Sequence, residues 1–299
     1  MAIASLSDFL SHTEVQPEAA SGRSGWQANL SLRYRQRDSR TLSHDRHDGP
    51  LRVLKSLYPE GDGVCHNVLV HPPGGVVGGD ALAIDVVVET GAHALLTTPG
   101  ATRFYRSAGG TATQTVDMRV EAGGRLEWLP LETIAYSGCI AENRARFALA
   151  EGAEMIGWDV TALGLPASGL PFVAGRFTQS IEVPGAWLER GTIPGDDRTL
   201  LDSPLGWAGR SVLATLWFAA GSPLSEARRD LLLETAREAT QGHSLEALAG
   251  ISAVQPRVVV ARALAARAEP AIELLTRIWS AWRPTAWAMA AYPPRVWRT

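Results

Sequence analysis

The chain is poor in cysteine: 299 residues contain two, Cys65 and Cys139. Two thiols can close one disulfide at most. The opening stretch MAIASLSDFLSHTEV has no basic segment, no proper apolar segment and no small-residue cleavage site, so no export signal is expected. The expectation is a cytoplasmic protein with reduced thiols. No apolar run reaches the roughly 18 residues of a membrane-spanning helix. There is no basic excess either: the net charge is -3 at pH 7 and the pI is near 6.2, which excludes the electrostatic footprint of a nucleic-acid binder. Catalytic signatures are also missing. No Gly-x-Ser-x-Gly elbow occurs, and Ser137-Gly138-Cys139 has no evident His or Asp partner in the sequence. Glu127 and Glu132 stand five residues apart, so a strand would aim them to opposite sides, a poor acid/base pair.

What remains is an ordinary globular composition, 45% hydrophobic and 20% charged. Residues 1–24 are polar and rich in small side chains, and are expected to be a poorly ordered leader before a single domain spanning 25–299. From Trp26 to about Thr215 short stretches alternate at period two, among them LSLRY, LAIDVVVE, ALLTT, TVDMRVE, RLEWLPL and RARFALA, and each predicts a strand. Four of the intervening turns resemble one another: VETGAHALL, VEAGGRLEW, LAEGAEMIGW and EVPGAWLER. Their glycines, Gly91, Gly123, Gly152 and Gly185, recur about every 30 residues. A stack of β-hairpins or a β-solenoid would produce that period, although Gly-Ala is also a common dipeptide. In the last third, SPLSEARRDLLLETAREAT predicts a helix capped by Ser222 or Ser225, and RVVVARALA a strand. EPAIELLTRIWSAWR predicts a second helix starting after Pro270, with Ile272, Leu275, Trp279 and Trp282 on one face.

The densest glycine stretch is HPPGGVVGGD, His71 to Asp80. A phosphate loop would need Lys-Ser/Thr after its last glycine, and Asp80-Ala81 stands there instead. The segment is therefore a backbone device, in which Asp80 either bonds turn amides or sits rigidly at a polar interior site. Cys65, His66 and His71 in VCHNVLVHPP are weaker metal-ligand candidates. A strand from Val64 to His71 would aim Cys65 and His71 one way and His66 the other, and the spacing is that of no closed zinc site. In TTPGATRFYRSAGG, Arg103, Tyr105 and Arg106 alternate basic and aromatic groups as protein interfaces do, or as a strand with inward aromatics would. Trp279, Trp282, Trp287 and Trp297 crowd the last 21 residues, either as core or as a docking surface.

Taken in order, GWQANLSLRY, CHNVLVHPPGGVVGGD, TTPGATRFYRS, EWLPLETIAYSG, WDVTALGLPASGLPF, WLERGTI and PPRVW resemble the urease accessory protein family UreD, also called UreH, over nearly the whole chain. The resemblance implies a mainly β, two-layered, β-helix-like single domain with two α-helices in its C-terminal region. It implies a maturation scaffold without catalytic activity, whose partners are the urease apoprotein, UreF and, through UreF, the GTPase UreG. Nickel would pass transiently through a polar interior passage. By motif, Asp80, Thr102, Asp159 and Glu189 are the candidates for that passage. Scattered oxygen donors suit an ion that must leave again. Asp80→Ala is then expected to leave the fold intact but impair urease activation. Many relatives carry Arg and Glu where LGLPASGLPF has Leu165 and Leu170, so any charged pair at those places is absent here. Two other classes compete: a metal-dependent hydrolase using Asp80, His66 and Asp159 on the same fold, and a nucleotide-binding module on the glycine loop, disfavoured by the missing Lys.

Overall fold

A computed structural model describes residues 25–298, and the expected leader lies outside them. In chain order the strands are β1 (Gln27–Arg37), β2 (Arg40–Asp48), β3 (Arg52–Val53), β4 (Val64–Val70), β5 (Ala81–Val88), β6 (His93–Thr97), β7 (Thr102–Phe104) and β8 (Ala112–Val120). There follow β9 (Arg125–Leu129), β10 (Thr133–Ala135), β11 (Ile140–Leu149), β12 (Glu154–Leu163), β13 (Arg176–Val183) and β14 (Trp187–Pro194). A short helix α1 (Arg198–Asp202) precedes β15 (Val212–Ala220), α2 (Glu226–Thr240), β16 (Ala249–Gln255), β17 (Val258–Ala265) and α3 (Ala268–Trp287).

These strands form two stacked layers, a β-solenoid of about four turns. One sheet runs β14-β13-β11-β8-β5-β1-β2 and the other β16-β17-β15-β12-β9-β6-β4-β3. Within the coil, β5, β8, β11 and β13 pair in parallel, as do β4, β6, β9 and β12. The chain crosses between layers at the repeated glycine turns. Gly91, Gly123 and Gly152 all have φ between 69° and 73°, and each turn closes with a backbone bond, such as Ala92 N to Glu89 O at 3.0 Å. A left-handed φ at the third residue of a tight turn is what glycine permits and a Cβ resists. Gly185 shares the conformation, but its turn joins the antiparallel pair β13 and β14, so the fourth repeat ends the coil as a hairpin.

The burial pattern explains the composition of each layer. β1 alternates exposed and buried residues because its outer face meets solvent. β12 and β15 are buried almost throughout, because their inner faces pack on the opposite sheet and their outer faces lie under α2 and α3. α2 begins at the expected cap, the Ser225 hydroxyl accepting from Arg228 N. α3 starts two residues before Pro270, which its first turn tolerates because those N–H groups have no helical partner.

The tryptophans of the C-terminal region are interior, which corrects the docking-surface alternative. Trp279 and Trp282 are fully buried, Trp287 is buried and Trp297 partly so. Each of these four indole N–H groups has a partner: Glu127 Oε2 for Trp279 at 2.6 Å, Leu232 O for Trp282 at 2.8 Å, Glu154 Oε2 for Trp287 at 2.7 Å and Thr97 Oγ1 for Trp297 at 2.8 Å. Large apolar rings gain most when covered, and indole retains one donor that burial obliges the fold to satisfy. At the centre lies a buried charge network. Glu127 Oε1 meets His93 Nε2 at 2.8 Å and Arg283 at 3.2 Å, and Arg283 also binds Glu60 at 2.8 Å. Burial pushes the Glu127 carboxyl up, but His93, Arg283 and Trp279 outweigh it and hold it below the ordinary range.

Candidate functional site

The glycine loop resolves the alternatives left open for Asp80. Gly74 and Gly79 adopt positive φ, and a Cβ on Gly75 would run into the Tyr105 ring. Asp80 is buried, and its two oxygens accept from Trp26 N at 2.8 Å and Val77 N at 2.9 Å. It ties the loop to the first strand, and it is not among the residues lining the interior cavities described next. Loss of this carboxylate would leave two amides unpaired, so the expectation that Asp80→Ala leaves the fold intact has no support in this geometry.

Two cavities lie between the layers. The first, about 280 Å³, is lined by His71, Thr102, Gln114, Thr133, Asn143 and Asp159 together with apolar side chains, and reaches the surface beside Pro99, Gly100 and Arg103. The second, about 320 Å³, is lined by Asp159, Thr161, Gln179, Glu189, Thr215 and Arg262, and reaches the surface along β14 at Arg190, Gly191 and Thr192. Asp159 is the residue common to both. Of the four passage candidates, Thr102, Asp159 and Glu189 thus line the interior and Asp80 braces it from behind.

Asp159 projects inward from β12 because Trp158 takes the outward position under α3. The Thr161 hydroxyl donates to its Oδ2 at 2.9 Å. Enclosure by protein pushes its carboxyl up to about 6, Thr161 and Gln179 hold it down, and the Glu189 charge adds to the rise. Glu189 is differently placed: Arg262 Nε donates to its Oε2 at 2.7 Å, and Thr215 donates to Oε1 at 3.3 Å. One carboxylate of the pair is neutralised by a fixed cation, and the other is poised to change charge near neutrality.

The remaining candidates do not converge. Cys65 faces the interior core and makes a weak bond to Asn67 Oδ1 at 3.5 Å, while His66 faces the helices and meets Glu60 at 2.6 Å. His71 lines the first cavity with its buried Nε2 unpaired. Among the described residues no group of three or more His, Cys, Asp and Glu side chains is arranged to hold a metal. The hydrolase constellation fails on geometry as well. His66 and Asp159 lie on opposite faces of one sheet, on strands three spacings or about 14 Å apart and offset by three residues along them, and Asp80 is spent on amides. On β7 the Phe104 ring is buried and Arg103 is exposed; just past the strand, Tyr105 is half-buried against Tyr136 at 4.8 Å and Arg106 is exposed. Leu165 and Leu170 pair through their backbones around the Pro166–Ser168 turn, with Leu170 exposed.

A family model described as UreD urease accessory protein matches residues 27–298. The chain belongs to the UreD urease accessory protein family. Among its relatives, the urease accessory protein UreD of Albidiferax ferrireducens is 60% identical over 272 residues, which is 91% of this chain and 99% of the relative. The UreD of Polaromonas naphthalenivorans is 56% identical over 272 residues, again 91% and 99%. That of Leptothrix cholodnii is 56% identical over 276 residues, 92% and 99%. Among the described residues of this UreD-family chain, no helix is long and apolar enough to cross a membrane. Sequence reasoning missed Gln179 and Arg262 at the second cavity, and Glu127, Glu60 and Arg283 in the charge network. A glutamate inside RLEWLPL and an arginine between tryptophans in WSAWRPTAW were the available signals: charges inside apolar stretches have to be paired.

Proposed function

We propose that this chain is a non-catalytic maturation scaffold of the cytoplasm, which binds the urease apoprotein and, with UreF and the GTPase UreG, passes nickel toward the urease active site. The observation that carries this reading is the pair of cavities sharing Asp159, which run between the two layers and reach different surfaces. Nickel here is cargo. Side chains along the route have to attract a dication without trapping it, and isolated carboxylate, hydroxyl and amide oxygens meet that requirement better than a closed cage. Thr102 stands in the first cavity, Asp159 at the junction and Glu189 in the second. Arg262 beside Glu189 limits the negative charge, so that a cation is not held there indefinitely. The exposed Arg103 and Arg106, at or beside the mouth of the first cavity, suit a contact surface for a protein partner.

Expression of the urease operon with and without this chain tests the proposal. Nickel-loaded, active urease only in the presence of the chain is the expected result. Equal nickel content and activity without it would remove the maturation role.

A further inference from the structure

Six buried side-chain nitrogen or oxygen atoms among the described residues have no hydrogen-bond partner. Folded proteins leave few such atoms, because each has given up water without replacement. Three of the six belong to two residues, and both residues line the cavities: His71 Nε2 in the first, and Gln179 Nε2 and Oε1 in the second. Neighbouring polar groups in the same walls are satisfied. Gln114 donates to Asn143 at 3.1 Å, Thr161 to Asp159 at 2.9 Å and Thr215 to Glu189 at 3.3 Å. Gln179 stands near enough to Asp159 to act on its carboxyl, yet makes no hydrogen bond of normal geometry. The unpaired groups therefore fall on either side of the one residue that both cavities share.

Both groups are neutral donors. Burial holds the His71 ring below its ordinary value of 6.5 against the pull of Asp80, so at neutral pH it is an uncharged imidazole. A carboxamide offers a neutral oxygen at any pH. Resting on the reading that the cargo crosses these cavities, we infer that His71 and Gln179 are contact points for the divalent cation on either side of Asp159. The imidazole selects late first-row metals such as nickel over magnesium and calcium, which prefer all-oxygen surroundings. A single carboxylate between two neutral donors binds weakly enough for release, as a transfer route requires.

The test places His71→Leu, Gln179→Met, Gln179→Asn and Asp159→Asn in the full-length chain within the urease operon. The readouts are nickel per urease at a fixed time, with and without excess magnesium, and the melting temperature of each purified chain. His71→Leu and Gln179→Met are expected to slow nickel loading by about tenfold or more, the order seen when the surroundings of a metal are altered. They are expected to leave the melting temperature unchanged or raised, since an unpaired polar atom is lost and none is created. Gln179→Asn, which keeps a neutral oxygen donor, should retain more of the loading than Gln179→Met, and magnesium should inhibit His71→Leu more than the parent. Normal loading in His71→Leu and Gln179→Met with slow loading in Asp159→Asn would overturn this inference and leave the passage standing. Normal loading in all of them would overturn the passage as well. Slow loading together with a lowered melting temperature would mark an ordinary structural role, and also refutes the inference.

Discussion

Replacing Asp159 with Asn should make the protein more stable. The carboxyl is enclosed between the sheets, has one hydroxyl donor in Thr161 and faces the Glu189 charge, and its pKa rises from 3.8 to about 6. A rise of about two units at roughly 1.4 kcal/mol each means that ionised Asp159 costs the folded state up to about 3 kcal/mol. Because the folded value lies above the unfolded one, the folded state holds a proton that the unfolded chain releases. That contribution is fully present below about pH 4 and is lost as pH rises through about 6. Asparagine keeps an oxygen for Thr161 and never ionises, so the gain should be near zero at pH 4 and complete above pH 7. For a chain of this size, about 3 kcal/mol corresponds to roughly 5–10 °C in melting temperature. Calorimetry of parent and variant at pH 4.5, 6 and 8 measures the difference. A gap that does not grow with pH, or a less stable variant at pH 8, would refute the reasoning.

Other consequences are equally direct. Trp279→Phe keeps the ring in the core but removes the donor to Glu127 Oε2, which should cost about 1–3 kcal/mol in a denaturant titration. Glu127 and Glu60 are both held below the ordinary carboxylate range by their partners, so the stability they contribute is present above about pH 4.5 and is lost as pH falls through their folded values. An acid titration of Glu127→Gln should show a weaker pH dependence than the parent. Asp80→Ala should lower the melting temperature by several degrees, because Trp26 N and Val77 N lose their acceptor, and unchanged stability would disprove the bracing role. Deleting residues 284–299 removes Trp287 and Trp297 from the core, so it should unfold the C-terminal layer before any effect on partner binding can be read.

Most of the fold was legible because local physics and global architecture agree. Glycine turns about 30 residues apart mark each crossing from the first sheet to the second, since their conformation is unfavourable for other residues, and the helical period of EARRDLLLETAREAT survives intact in α2. Where the fourth repeat ends the coil as a hairpin was not legible, because the same turn serves a parallel crossing and an antiparallel return. The interior was only half legible. Asp159 and Glu189 fell within recognisable motifs, but Gln179 lies in an ordinary strand and gains meaning only from missing partners, which are a property of three-dimensional packing. The tryptophans were ambiguous for a related reason: an amphipathic ring serves a core or an interface equally well, and the choice depends on where its single N–H finds an acceptor.

Stability and function should therefore part company at Asp159: a charge that weakens the fold is retained where a cation has to pass. The most direct test is the nickel content of urease matured with the Asp159→Asn chain, at matched abundance of the parent and variant chains. The account predicts severalfold less nickel per urease from a scaffold that is itself more stable at neutral pH. Normal nickel content from that stabilised variant would contradict it.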